Sequence, residues 1–269
     1  MAHHHMVTGE IEMIEQFYRP ETLEQAVALK ARHGDQAVYL AGGSKLNATP
    51  TRTDKTIAIA LDRLGLDQVS QTDGALRIGA TITLQALRDH PLAPPALRQA
   101  LGFVYSRHLR NQATLGGEVA AQGHDPVLLP LLLVMQAELL LEDGVRVPLE
   151  TYLAGPREAL IQAIELPRSR QCCATRRVTR NADGVSVVTA AVALEDGGAM
   201  RLAVSGVVPG ALRLHAVEQR QLQGEALEQA VRAAITPCDD FVGSAAYKRY
   251  ITGVVLADLL ADCRQQKEQ

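Results

Sequence analysis

At 269 residues, 47% of them hydrophobic, the chain has enough apolar material for one large globular domain or two to three modest ones. Its 27 Lys and Arg against 30 Asp and Glu, with no basic block, exclude an electrostatic footprint for nucleic acid or anionic lipid. Four cysteines, Cys172, Cys173, Cys238 and Cys263, never at C-x-x-C spacing, exclude that kind of zinc or iron–sulfur ligation, so any redox metal the protein serves is expected on another chain.

The opening "MAHHHMVTGEIE", residues 1–12, reads as a purification tag and vector remnant, which places the start of the natural chain near Met13. Thr22-x-x-Gln25 is a capping box and predicts a helix with Leu23, Ala26, Val27 and Ala31 on one face. "AVYLAGG" follows as a short buried strand that stops at two glycines. "TIAIAL" (56–61) and "ALRIGATIT" (75–83) are β-branched runs between turn signals and predict two strands; "LQALRDH" predicts a short helix. Pro94-Pro95 opens another helix, with Leu97, Leu101 and Val104 at helical spacing. "RHLRNQATLGGEVAAQGHD" (107–125) breaks the pattern and predicts a long polar loop.

Asp125-Pro126 has the form of a helix start, with Asp125 as cap, for a helix carrying "VLLPLLLVM" (127–135). This run is apolar on every side, which predicts burial, and it is too short to span a bilayer. With no signal peptide ahead of Met13, a cytoplasmic protein without a membrane anchor is expected. "AELLLEDG", "VRVPL" and "EALIQAIEL" predict three strands. After Pro167 the character changes to a β-meander with a hairpin at Asp196-Gly197-Gly198, and then to two helices, "ALEQAVRAAI" and "AYKRYITGVVLADLLADC". A boundary near residue 168 separates this C-terminal α+β part from the rest.

Two glycine pairs stand out. In "AGGSKLN" and, some seventy residues later, "NQATLGGEVAA", a Gly-Gly lies beside a hydroxyl residue. Successive N–H groups unshielded by side chains form a concave nest for an anion, so two such loops can clasp a diphosphate from two sides. Neither is G-x-G-x-x-G or a P-loop, and each taken alone is more often a plain turn.

"AGGSKL" together with "RNQATLGGEVA" and "LPLLLVMQA" resembles the FAD-binding (medium) subunit of the molybdenum hydroxylases, the xanthine dehydrogenase and carbon monoxide dehydrogenase family. The likeness extends to its xanthine-dehydrogenase-like members from enterobacteria. Nearly the whole chain after Met13 takes part, including "TRRVTRNADGVSVVTAAVAL" and "SAAYKRYITGVVLADLL" near the C-terminus. The resemblance implies an α+β chain. A two-part FAD-binding domain of the PCMH type, residues 13–168 with halves of about 13–65 and 66–168, precedes a CO-dehydrogenase-flavoprotein-like C-terminal domain, residues 169–269.

By position, Ala41, Gly42, Gly43, Ser44, Lys45, Leu46 and Asn47 would hold the FAD diphosphate from the first loop, and Thr114, Leu115, Gly116, Gly117 and Glu118 from the second. The implied role is an electron relay. A separate molybdopterin subunit oxidises substrate, a separate iron–sulfur subunit carries electrons, and the flavin passes them to NAD or another acceptor. The alternatives are a flavin-free scaffold of the same complex and a stand-alone flavin oxidoreductase, for which no convincing substrate-facing acid or base is visible.

Against the family's T-I-G-G-N-I-A-x-A-S-P-x-x-D-x-x-P, aligned without a gap to Pro130, the Asn is Glu118, the Ser-Pro is Gly123-His124 and the Asp is Val127; in the first loop Lys45 replaces Asp. Asp125, two residues before the family Asp, is a candidate to reach the same space. In a loop that closes on a diphosphate, Glu118 adds a negative charge and Lys45 an ammonium, so the two are expected to compensate. His124-Asp125 reads as a base with its orienting carboxylate or, more plainly, as loop surface and a helix cap. Arg176, Arg177 and Arg180 either approach the flavin or a partner, or form a solvated face.

Overall fold

The computed structural model describes residues 14–46, 54–72, 74–121, 123, 125–156, 158–168, 171–181 and 184–268. The tag residues, Asn47 and His124 lie outside the described residues. In chain order the elements are β1 (Gln16–Tyr18), α1 (Leu23–His33), β2 (Ala37–Leu40), β3 (Ile57–Ala60), β4 (Val69–Gln71), β5 (Ala75–Gly79), α2 (Leu84–Asp89), α3 (Pro95–Leu101), α4 (Arg107–Gln112), α5 (Leu115–Ala121) and α6 (Leu129–Val134). Then follow β6 (Glu138–Leu141), β7 (Arg146–Pro148), α7 (Leu149–Ala154), β8 (Ile161–Pro167), β9 (Gln171–Thr179), β10 (Ser186–Glu195), β11 (Met200–Ser205), β12 (Ala211–Arg213), α8 (His215–Glu218), α9 (Gly224–Ala234) and α10 (Ala245–Glu268).

The strands form three sheets: β1-β3-β2, parallel; β4-β5-β8-β6-β7, antiparallel; and β12-β11-β10-β9, antiparallel. The first has a small core of its own, in which Ala26 of α1 meets Ile57 and Ile59 of β3. α1 begins where the capping box predicts: Thr22 Oγ1 accepts from Gln25 N–H, and the Gln25 amide oxygen accepts from Glu21 N–H at 2.9 Å. The second sheet packs with α2, α3, α5 and α6 in the largest core, and all six residues of α6 are buried.

The C-terminal sheet is a middle layer. Along β10 and β11, Val188, Ala190, Val192, Leu202 and Val204 face α9 and α10, while Ala191, Ala193 and Ala203 join the core around α6. This is why β10 reads as a continuous apolar run rather than an alternation: both of its faces are covered. Arg201, 5% exposed on the α6 side, donates from Nε to Val134 O at 2.6 Å and so ties the third sheet to the end of α6.

Two expectations fail here. Residues 107–125 are not one polar loop but contain α4 and α5. Ser106 Oγ caps α4, and the buried Arg110 guanidinium donates to Gln85 Oε1, Val104 O and Tyr105 O, so residues that read as solvated are internal. Nor does Asp125 cap α6, which starts later, at Leu129. Asp125 Oδ2 instead accepts from the backbone N–H and hydroxyl of Ser186, at 3.0 and 2.8 Å, and from Arg177 at 3.4 Å. Donors brought from 61 residues away take the carboxylate that local sequence assigns to the helix. Of the three arginines, Arg177 is internal and bonds Phe103 O, whereas Arg176 pairs with Asp258 and Asp262 on α10.

Candidate functional site

The site grows from the end of β2. Parallel pairing with β3 ends as Leu61 N–H reaches Leu40 O at 2.9 Å, and the chain then turns away through Ala41-Gly42-Gly43. Gly42 lies directly on the backbone that precedes the second loop: a Cβ there would sit 1.7 Å from Gln112 O, so only glycine allows the approach. Gly43 takes φ of 69°, the left-handed region that glycine enters without strain. Among the described residues, the N–H groups of Gly42, Gly43 and Ser44 meet no protein acceptor. The three residues that carry these donors line one cavity.

The second loop is built differently. Thr114 bridges Thr83, with Leu84 N–H on Ala113 O and Leu115 N–H on Ile82 O. Gly116 N–H goes to Ala80 O at 2.8 Å, Gly117 N–H to Thr114 Oγ1 at 3.2 Å and Glu118 N–H to Thr114 O at 3.0 Å. Four successive donors are therefore occupied within the protein. Gly116 also packs tightly, since a Cβ would lie 2.7 Å from that of Ala80.

The two loops form the wall between two cavities. One, of about 340 Å³, is lined at one end by Ala41, Gly42, Gly43, Ser44, Lys45 and Leu46, and across from them by Thr114, Gly116 and Gly117. The other, of about 490 Å³, lies on the far side of Gly42, between Asp62, Arg63, Asp67 and Gln112. Ala41, Gly42, Thr81 and Thr114 border both. Cavities of about 300–1,000 Å³ suit small-molecule and cofactor ligands.

Nine of the sequence-derived site residues thus share one cavity. Leu115 and Glu118 are buried behind it, and Asp125 is held by Ser186 and Arg177, away from both cavities. Lys45 and Glu118 meet directly: Nζ donates to Oε2 at 2.9 Å, with Glu118 only 7% exposed. Sequence reasoning missed Thr81, which lies inside a run read only as a strand, and Lys30, Tyr39 and Lys55, which also line the first cavity. Burial and the charge of Glu142 raise the Tyr39 phenol above its ordinary pKa, which keeps it a neutral donor. No local signal in the sequence distinguishes these residues.

The thiols take no part. All four cysteines are free, burial pushes Cys173 up to about 12, and among the described residues no group of three His, Cys, Asp or Glu is placed to hold a metal. Likewise, no helix among the described residues is long and apolar enough to cross a membrane.

Comparison with known proteins bears on the same loops. The chain is 57% identical over 257 residues to "Uncharacterized protein YgfM" of Escherichia coli (strain K12), covering 96% of this chain and 99% of that one. It is 26% identical over 270 residues to the carbon monoxide dehydrogenase medium chain of Hydrogenophaga pseudoflava, covering 88% and 93%. Carbon monoxide dehydrogenase from the same organism, solved in a form lacking the Mo-pyranopterin moiety, superposes with a TM-score of 0.84 at 24% identity, over 95% of this chain and 99% of that one. The α+β, PCMH-type architecture expected from the resemblance is therefore the fold observed. Residues 11–169, which contain both glycine loops, match the family described as the FAD binding domain in molybdopterin dehydrogenase, and the chain belongs to that family.

Proposed function

We propose that this chain is the flavoprotein subunit of a multi-chain molybdenum hydroxylase. In this reading it holds FAD between an iron–sulfur partner and an acceptor such as NAD, while a molybdopterin partner oxidises the substrate. The observation that carries the reading is the row of unmatched N–H groups at Gly42, Gly43 and Ser44 along the first cavity, with Gly42 bordering the second as well. A dinucleotide cofactor has that shape: two ring systems joined by a diphosphate. FAD, the family's cofactor, fits the residues present, because the glycine row is open where an acceptor-rich diphosphate needs donors and the nearby buried carboxylate, Glu118, is paired with Lys45.

When bound, FAD supplies the ability to take up electrons singly or in pairs and release them to an acceptor. The chain's own residues do the binding. Gly42, Gly43 and Ser44 would donate to the diphosphate, Thr114 would border both cavities at the crossing point, and Ala80 and Leu160 would give the first cavity apolar wall. Tyr39 would line the same cavity as a neutral phenol.

The test is spectroscopic. The purified protein is expected to show a flavin absorption spectrum, or to acquire one on incubation with FAD, and to reduce an acceptor only when the molybdopterin and iron–sulfur partners are added with substrate. A protein that stays free of FAD in excess cofactor would overturn this reading and leave a flavin-free scaffold in its place.

A further inference from the structure

Three positions at which this chain departs from the family pattern come together in space. Lys45 Nζ and Glu118 Oε2, 73 residues apart in sequence, are 2.9 Å apart. The third is Gly123: a Cβ there would lie 2.8 Å from Lys45 Nζ, so the ammonium occupies the room that a side chain at 123 would fill. Glu118 is nearly buried and lines neither cavity, whereas Lys45 is 22% exposed and lies on the wall of the first one, next to Ser44.

A buried carboxylate needs a partner, and Lys45 supplies it. Lys45 needs something to fix a four-carbon stem, and Glu118 supplies that. Against the Asp and Asn of the family pattern, the pair changes the formal charge at this rim from −1 to 0, since +1 and −1 replace −1 and 0.

Resting on the reading of the first cavity as part of an FAD site, we propose that Lys45 is a diphosphate-contacting residue. Glu118 is the positioning residue that aims its ammonium, in the space Gly123 leaves open. Glu118 does not itself touch the ligand, which reverses the expectation that its charge faces the diphosphate. An ammonium fixed beside backbone donors adds charge-assisted contact where the N–H row alone supplies neutral dipoles.

The experiment is a titration with FAD, read by quenching of flavin fluorescence at low and moderate salt. The proteins are the parent, Lys45→Met, Glu118→Leu, Glu118→Gln and Gly123→Ala. Lys45→Met is expected to bind about tenfold more weakly, with a flatter salt dependence, having lost one charge-assisted contact. Glu118→Leu should also weaken binding although the lysine remains, and Glu118→Gln, which keeps an acceptor oxygen, should restore it. Gly123→Ala removes no charge and should weaken binding by displacing the ammonium, which keeps the test alive if Lys45→Met fails to fold. Parental affinity and salt dependence in Lys45→Met, or no recovery in Glu118→Gln, would overturn the proposal while leaving the cavity an FAD site. A parent that binds no FAD refutes both.

Discussion

The two glycine loops look alike in sequence and do opposite work. "AGGS" leaves its donors open, whereas in "TLGG" the N–H groups from Leu115 to Glu118 are all taken up by Ile82, Ala80 and Thr114. On the proposed reading the first loop offers its donors to the ligand, and the second begins a helix whose N–H groups serve the protein itself. Gly42 rests on Gln112, just ahead of that helix, and Gly116 lets the helix settle on Ala80. The difference teaches that a Gly-Gly pair reports a close approach of backbone. Whether the approaching atoms belong to a ligand or to the protein depends on where the N–H groups go.

The largest effect should come from the point where the loops touch. Gly42→Ala places a Cβ 1.7 Å from a backbone oxygen, so one loop must move, and a loss of about 3 kcal/mol is expected together with loss of FAD binding. Urea unfolding of the cofactor-free protein and FAD titration measure the two. If Gly42→Ala leaves both unchanged, the loops are not in contact and the comparison fails.

Gly116→Ala should be milder, since its Cβ meets Ala80 at 2.7 to 2.8 Å, and should remove about 2 kcal/mol of stability. Once folded, this variant should keep its affinity for FAD, because the Gly116 N–H already points at Ala80 O. Full stability with lost FAD affinity would make the second loop a binding loop as well.

The smallest effects sharpen the contrast most. Thr114→Ala removes the hydroxyl that accepts from Gly117 N–H and should lower the stability of the cofactor-free protein by about 1 kcal/mol. Ser44→Ala keeps the backbone N–H and removes only the hydroxyl, so it should change that stability by less than about 0.5 kcal/mol, as an open site does, and weaken FAD binding by at most about tenfold. Equal behaviour of the two variants in both measurements would erase the distinction.

What could be read from the sequence was what is local. The Thr22 cap, the strand before the first loop, the buried run at α6 and the hairpin at residues 196–198 each depend on neighbours within a few positions. The loops themselves were found because the glycine pairs recur with a hydroxyl beside them. α5 was not found, because Gly116 and Gly117 disfavour a helix by propensity, and the compensation comes from a cap and from packing on Ala80. The partner of Asp125 was out of reach for a similar reason: Ser186 and Arg177 arrive from another sheet, and nothing near residue 125 announces them. That Lys45 and Glu118 carry opposite charges is plain in the sequence, but not that they meet as a direct ion pair across 73 residues.

The alanine face of the third sheet bears on how this protein can be dissected. The family signature stops at residue 169, which invites a gene fragment that ends there. Such a fragment would carry both glycine loops, yet it would uncover α6 on the side now covered by Ala191, Ala193 and Ala203 and leave the Asp125 carboxylate without Ser186 and Arg177. Its product would expose a helix of leucines to water and be prone to precipitate in the host cell. The stretch that the family signature marks is therefore shorter than the stretch whose packing closes the core around α6.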